Sequence, residues 1–192
     1  MAEIEKHPFE PFLPLGAKVL FLGSFPPQKK RWSIDFFYPN FINDFWRICG
    51  LLFYDDRNHF ILPGAKSFDK DRIIEFCTLQ GIALFDTATA VRRLQDNASD
   101  KFLEVAEPTD IDALLNKIPD CEAVAATGQK AAEILAGHFG CELPAIGDYK
   151  TVTCYGRALS FWRMPSTSRA YPLSIEKKAE VYRRLFGSLA GR

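Results

Sequence analysis

Lys18-Val19-Leu20-Phe21-Leu22-Gly23-Ser24-Phe25-Pro26-Pro27 is the stretch on which the fold turns. Its apolar run is too short for a buried helix and has the length of a strand. Gly23 ends the run and allows close backbone approach, and two prolines stiffen the turn that follows. The backbone N–H groups of Ser24 and Phe25 can then serve a pocket beyond the strand. A plain strand-ending loop is the other reading of the same residues.

Three further runs repeat the pattern outward from this one. Gly81-Ile82-Ala83-Leu84-Phe85 stops at Asp86, Ala123-Val124-Ala125-Ala126-Thr127 at Gly128, and Leu159-Ser160-Phe161-Trp162-Arg163-Met164 at Pro165. Helical stripes lie between them: Phe45, Ile48, Cys49 and Leu52; Ile73, Ile74, Cys77 and Leu79; Ala131, Ile134, Leu135 and Phe139. A last helix carries Ile175, Ala179, Tyr182, Leu185, Phe186 and Leu189 after a Ser174 cap. Strands alternating with helices predict an α/β layered domain with a largely parallel, four-stranded sheet. In such sheets ligands bind beyond the carboxyl ends of the strands, so loops distant in sequence can converge on one pocket.

The chain has 192 residues, 47% apolar and 25% charged, which predicts one globular domain over 1–192 with a substantial core. Its 17 Phe predict a core rich in aromatic packing. Met1-Ala2-Glu3-Ile4-Glu5-Lys6 does not read as a signal peptide, and no run is long enough for a bilayer, so a cytoplasmic protein is expected. Cys49, Cys77, Cys121, Cys141 and Cys154 lack the close spacing of a metal site and read as reduced, mostly buried residues. No metal and no cofactor is expected. The formal net charge of +0 argues against a protein held on nucleic acid by bulk electrostatics. Charge is uneven, however. Asp96, Asp100, Glu104, Glu107, Asp110 and Asp112 make the middle acidic, while Lys29-Lys30-Arg31, Arg163, Arg169, Lys177, Lys178, Arg183 and Arg184 lie toward the ends.

Two more segments carry chemistry. In Phe37-Tyr38-Pro39-Asn40-Phe41-Ile42-Asn43-Asp44-Phe45-Trp46, polar Asn40 and Asn43 sit among aromatics before a helix. Asn43 suits either a helix cap or a site residue, and Phe37 and Tyr38 either core or a stacking platform. In Met164-Pro165-Ser166-Thr167-Ser168-Arg169-Ala170-Tyr171-Pro172, consecutive hydroxyls followed by Arg suit a phosphate backbone, though such residues also populate ordinary loops.

Together these segments resemble the uracil-DNA glycosylase superfamily. Gly23-Ser24-Phe25-Pro26-Pro27 is similar to its first motif, Gly-Ile-Asn-Pro-Gly in the mismatch-specific enzymes. Tyr38-Pro39, Asn43 and Phe45-Trp46 match Tyr-Pro-x-x-x-Asn-x-Phe-Trp of thymine-DNA glycosylases, and Met164-Pro165-Ser166-Thr167-Ser168 resembles Met-Pro-Ser-Ser-Ser of the second motif. Gly81 to Asp86 and Thr127-Gly128-Gln129-Lys130-Ala131 also fit. Phe25 departs from the pattern, for it stands where the family places a water-positioning Asn or Asp. Gly-Ser-Phe-Pro instead marks the hypoxanthine-DNA glycosylase branch, whose catalytic Asn maps onto Asn43. That branch usually has His three residues earlier, where this chain has Asn40.

The resemblance implies a three-layer α/β/α sandwich and a monofunctional glycosylase acting on DNA with a damaged or mismatched base. It implies no membrane partner and a monomer. Asn43 would be the catalytic residue, orienting a water or donating to the base. Gly23, Ser24, Phe25, Pro26, Phe37 and Tyr38 would bind the flipped base. Ser166, Thr167 and Ser168 would grip phosphates, with Arg169 filling the gap left in the duplex. Hypoxanthine and uracil lead as substrates. Two rivals stand beside this reading: a lesion-binding protein that excises nothing, which Phe25 favours, and a hydrolase of free nucleosides. The Gly23 loop lacks the ending of a P-loop, and Ser166, His7, His59 and His138 lack the setting of an acyl-transfer triad.

Overall fold

Each of the four apolar runs forms a strand. The computed structural model describes residues 3–94 and 102–190; Met1, Ala2, Asp96 and Asp100 lie outside them. The chain begins with β1 (Ile4–Lys6) and β2 (Val19–Gly23), passes a single 3-10 turn at Lys29–Arg31, and enters α1 (Phe45–Tyr54) and α2 (Lys70–Gln80). There follow β3 (Ile82–Asp86), β4 (Ala88–Arg93), β5 (Leu103–Pro108) and α3 (Ile111–Lys117). The last part holds β6 (Ala123–Thr127), α4 (Gln129–Phe139), β7 (Asp148–Cys154), β8 (Arg157–Met164) and α5 (Ile175–Ala190).

The main sheet has five strands in the order β3-β2-β6-β8-β7, not the four expected. β3, β2, β6 and β8 are parallel neighbours, and β7 joins β8 antiparallel at the edge. The missed strand has a physical reason. β7 is exposed at most positions and buries only Val152 and Cys154, so it offers no apolar run. Its turn is Tyr155-Gly156, with φ of 50° and 75°, the positive values that a tight two-residue hairpin loop requires. A second sheet, β1-β4-β5, is antiparallel and was not expected either. Only Thr87 separates β4 from β3, and β5 alternates Glu104 and Glu107 with Val105 and Ala106, which reads as acidic loop.

The helices follow their stripes. Asp69 and Asp110 cap α2 and α3 by accepting the N–H of Arg72 and Ala113. The Ser174 cap is present too, its hydroxyl accepting from Lys177 N–H at 3.3 Å. Leu79, assigned above to the α2 stripe, is instead exposed, while Ile73, Phe76 and Cys77 are buried. Phe21 of β2 meets Phe45 of α1 edge-on at 5.3 Å and stacks parallel to Tyr182 of α5 at 6.2 Å. Each such buried ring contributes about 1.5–3 kcal/mol, so this contact seats both helices on the sheet. All five cysteines are unpaired and four are buried. Among the described residues no helix is long and apolar enough to cross a membrane.

Candidate functional site

The register of the parallel strands brings their carboxyl ends together. Gly23 lies opposite Asp86, Leu22 opposite Ala126, and Thr127 opposite Met164. Just beyond this edge is a cavity of about 940 Å³. Phe25, Asn43 and Ser166 all line it, although they come from three separate loops.

The first loop supplies Gly23, Ser24, Phe25 and Pro26 to the wall. A Cβ on Gly23 would lie 2.4 Å from Asp86 Oδ1, so only glycine fits beside that carboxylate. No hydrogen bond among the described residues engages the N–H of Ser24 or Phe25, which leaves two donors at the pocket. The Phe25 ring turns toward the smaller sheet, packing with Ala88, Val91 and Leu103. Arg93 of β4 fixes the loop, donating to Glu5 through two bonds of 3.1 Å and to the Pro26 carbonyl at 3.1 Å.

Tyr38 and Asn43 come from the second loop. Tyr38 has a φ of 50°, a left-handed conformation costing about 1–3 kcal/mol at a non-glycine residue. Its hydroxyl shares a 2.9 Å hydrogen bond with Thr127 Oγ1, and one face of its ring stacks on Phe45 at 3.9 Å. Burial holds its phenol well above the ordinary value. Phe37 also lines the cavity, though it is only 3% exposed and packs against Phe36 and Phe85. The N-cap of α1 is Asp44, without a side-chain cap bond, and not Asn43; Asn43, one residue earlier, accepts the N–H of Phe45 with Oδ1 at 2.9 Å. That bond leaves Nδ2 free to donate, so it and a site role coexist. Arg47 donates to the Phe41 and Asn43 carbonyls at 2.6 and 3.0 Å and braces the segment from within. Its burial and the nearby Arg169 lower its proton affinity.

The third loop brings Ser166, Thr167 and Ser168 to the wall, but not Arg169. Arg169 is half exposed and points to Asp44, 3.6 Å from Oδ1. Thr167 is buried, and its carbonyl accepts Asp44 N–H at 2.9 Å. Fully buried Lys178 donates to Asp44 Oδ2 at 2.9 Å and to the Ser168 carbonyl at 2.8 Å. One ammonium therefore pins the Asn43 segment to the Ser/Thr loop.

Two residues that sequence reasoning passed over meet at this site. In the sequence Asp86 ends a strand within a stretch that fits the resemblance but carries no site role, and His7 lacks the setting of a triad. Asp86 lines the cavity, and its Oδ2 lies 2.9 Å from His7 Nε2. The usable signal was the place of Asp86 at the carboxyl end of a parallel strand, level with Gly23. Lys130 also lines the cavity, with its ammonium bound to the Leu103 carbonyl. Among the described residues no group of His, Cys, Asp or Glu is arranged to hold a metal ion.

No family model and no curated protein matches this chain. Among solved structures it is similar to the solution NMR structure of a "putative Uracil DNA glycosylase" from Methanosarcina acetivorans. The TM-score is 0.65 at 21% identity, with 98% of this chain and 99% of that chain covered. The likeness is one of fold, and it extends over nearly the whole of both chains.

Proposed function

We propose that the chain is a DNA N-glycosylase that draws a deaminated base into the cavity and hydrolyses its bond to deoxyribose. The observation that carries this reading is the convergence of the Phe25, Asn43 and Ser166 loops on one cavity. Its volume, about 940 Å³, lies within the roughly 300–1,000 Å³ of small-molecule sites. The fold shared with the Methanosarcina protein supports it. Phe25 in the first motif and Asn43 before Asp44-Phe45-Trp46 favour the hypoxanthine-DNA glycosylase branch. The three-layer arrangement belongs to the same reading: β2, β3 and β6 are buried at every position and need cover on both faces.

A base inside a duplex is out of reach, so the nucleotide is extruded at a cost of a few kcal/mol. Tyr38, partly buried at the cavity wall, receives the base on the ring face away from Phe45, a contact contributing about 1–3 kcal/mol. Asp86 Oδ1 accepts an N–H from the base edge, which hypoxanthine and uracil both present and adenine lacks at the same ring position. As the C–N bond breaks, its electron pair leaves with the base, a water oxygen bonds the sugar carbon, and the proton that water sheds ends on the departing base. The N–H groups of Ser24 and Phe25 and the Asn43 amide donate to the departing anion. Ser166 and Ser168 bind flanking phosphates. Lys130 donates to the Leu103 carbonyl, and the enzyme is monofunctional: it forms no Schiff base and leaves the strand intact.

The test is a set of duplexes bearing hypoxanthine or uracil, incubated with wild type, Asn43→Ala and Asn43→Asp. Wild type should leave abasic sites that break only in alkali. Asn43→Ala should slow excision about 100-fold, the scale of one lost transition-state donor. Asn43→Asp keeps the acceptor for Phe45 N–H but loses the amide donor, and should be slow at unchanged melting temperature. Full activity in both variants ends the role of Asn43. Tight lesion binding with no abasic product from stoichiometric wild type would instead favour a non-excising reader, the reading that Phe25 supports.

A further inference from the structure

We propose that His7 is a positioning residue of the site, holding the Asp86 carboxylate so that Oδ1 faces the cavity. The proposal rests on the base-pocket reading above and adds to it a residue 79 positions from Asp86 in the chain. His7 follows β1, and its backbone N–H donates to the carbonyl of Thr89 within β4 at 2.8 Å. Its side chain is 4% exposed.

A buried histidine among aromatics is ordinarily a core filler, and the ring does sit between Phe85 at 4.5 Å and Phe25 at 5.2 Å. Packing alone, however, does not require a carboxylate. A carboxylate only accepts, so Nε2 donates to Asp86 Oδ2 across 2.9 Å. Nδ1 lies 2.8 Å from the Phe9 carbonyl and 3.1 Å from Phe9 N–H, so the backbone of one residue serves that nitrogen whether it donates or accepts. The ring is thus fixed at both ends.

Asp86 is fixed in consequence. One oxygen is taken by His7. The other, Oδ1, lies against Gly23, where a Cβ would come within 2.4 Å, and accepts no hydrogen bond among the described residues. Thr127 Oγ1, 3.7 Å from the same point, is engaged with Tyr38. Asp86 Oδ1 is therefore left as a free acceptor on the cavity wall. Released from His7, the carboxylate could swing away from the place where Oδ1 meets the base edge, and the preference for a base carrying an N–H there would weaken.

His7→Phe and His7→Gln separate positioning from packing. Phenylalanine keeps the ring but leaves Asp86 Oδ2 without a donor, so the melting temperature should fall, and kcat/KM of the folded enzyme on hypoxanthine-containing DNA should fall about 30-fold, the worth of a hydrogen bond to a charged group. Glutamine keeps a donor at similar reach and should recover most of that loss. A His7→Phe enzyme equal to wild type, or a His7→Gln enzyme no better than His7→Phe, overturns the proposal. A second readout needs no turnover. Free hypoxanthine titrated into wild type should shift the imidazole ¹⁵N signals that disappear in His7→Phe. An unmoved signal overturns the proposal, whatever DNA is cleaved. A shift in a wild type that excises nothing upholds the role of His7 and removes the excision reading instead.

Discussion

Gly23 decides the floor of the site by what it lacks. Its backbone would accept alanine, since its φ is not positive, but the added methyl would press on Asp86 Oδ1 at 2.4 Å. A carboxylate end usually swings aside at little cost. Here His7 holds it, so crowding of about 1–3 kcal/mol falls on the site rather than on the whole fold. Gly23→Ala should therefore lower kcat/KM about tenfold or more while the melting temperature moves little, as parallel excision assays and thermal melts would show. A large drop in melting temperature with normal turnover of the folded fraction would mean that Asp86 tolerates displacement. Asn43 makes a related point. Its carbonyl oxygen is spent on the start of α1, so only its amide hydrogens are free for chemistry.

At the scale of elements, three pieces of chain hold the site together. The loop before α1 presents Asn43, the loop after β8 presents the Ser166–Ser168 hydroxyls, and α5 reaches between them with Lys178. The Lys178–Asp44 pair is buried, so its net contribution to stability is small, but breaking it leaves the buried carboxylate with only the half-exposed Arg169, 3.6 Å away, as counter-charge. Lys178→Met should destabilise the protein by about 3–5 kcal/mol. Adding Asp44→Asn to that variant should restore part of the loss, because no poorly compensated carboxylate then remains. Urea unfolding of the single and double variants checks both, and a double variant no more stable than the single one contradicts the account. The smaller sheet works likewise on the other side, with β4 carrying Arg93 to the Pro26 carbonyl and β1 leading to His7.

Over the whole molecule, the aromatic core has a consequence at high pH. Burial raises the thiols of Cys49 and Cys77 above 9.0, pushes Cys121 up to about 11, and raises the phenols of Tyr38 and Tyr182 above 10.0. These groups stay protonated in the fold where the unfolded chain ionises. The folded state then binds more protons, so their stabilisation is complete below the ordinary values and drains away as pH rises toward the folded ones. Stability should begin to fall near pH 9 and steepen above pH 10, each group adding up to about 1.4 kcal/mol per pH unit. Urea midpoints measured from pH 7 to 11 would show this. A midpoint unchanged to pH 11 would mean that these side chains reach water more readily than the structure allows.

Much of this architecture is legible along the chain. β2, β3, β6 and β8 stand out because a strand covered on both faces must be apolar nearly throughout, and α1, α2, α4 and α5 because one buried face leaves a helical period. The Gly23, Asn43 and Ser166 loops stand out for their residue types. What the chain does not display are β1, β4, β5 and β7, which are short, half exposed or run on from a neighbour and owe their order to partners elsewhere. Nor does it display the His7–Asp86 contact, the Lys178–Asp44 pin, or the diversion of Arg169 from the cavity to Asp44. Burial leaves a periodic mark within a segment, because every turn or pleat must meet the same face. A hydrogen bond between side chains far apart in sequence depends on a few ångströms set by the packed sheet, and it leaves no period to read.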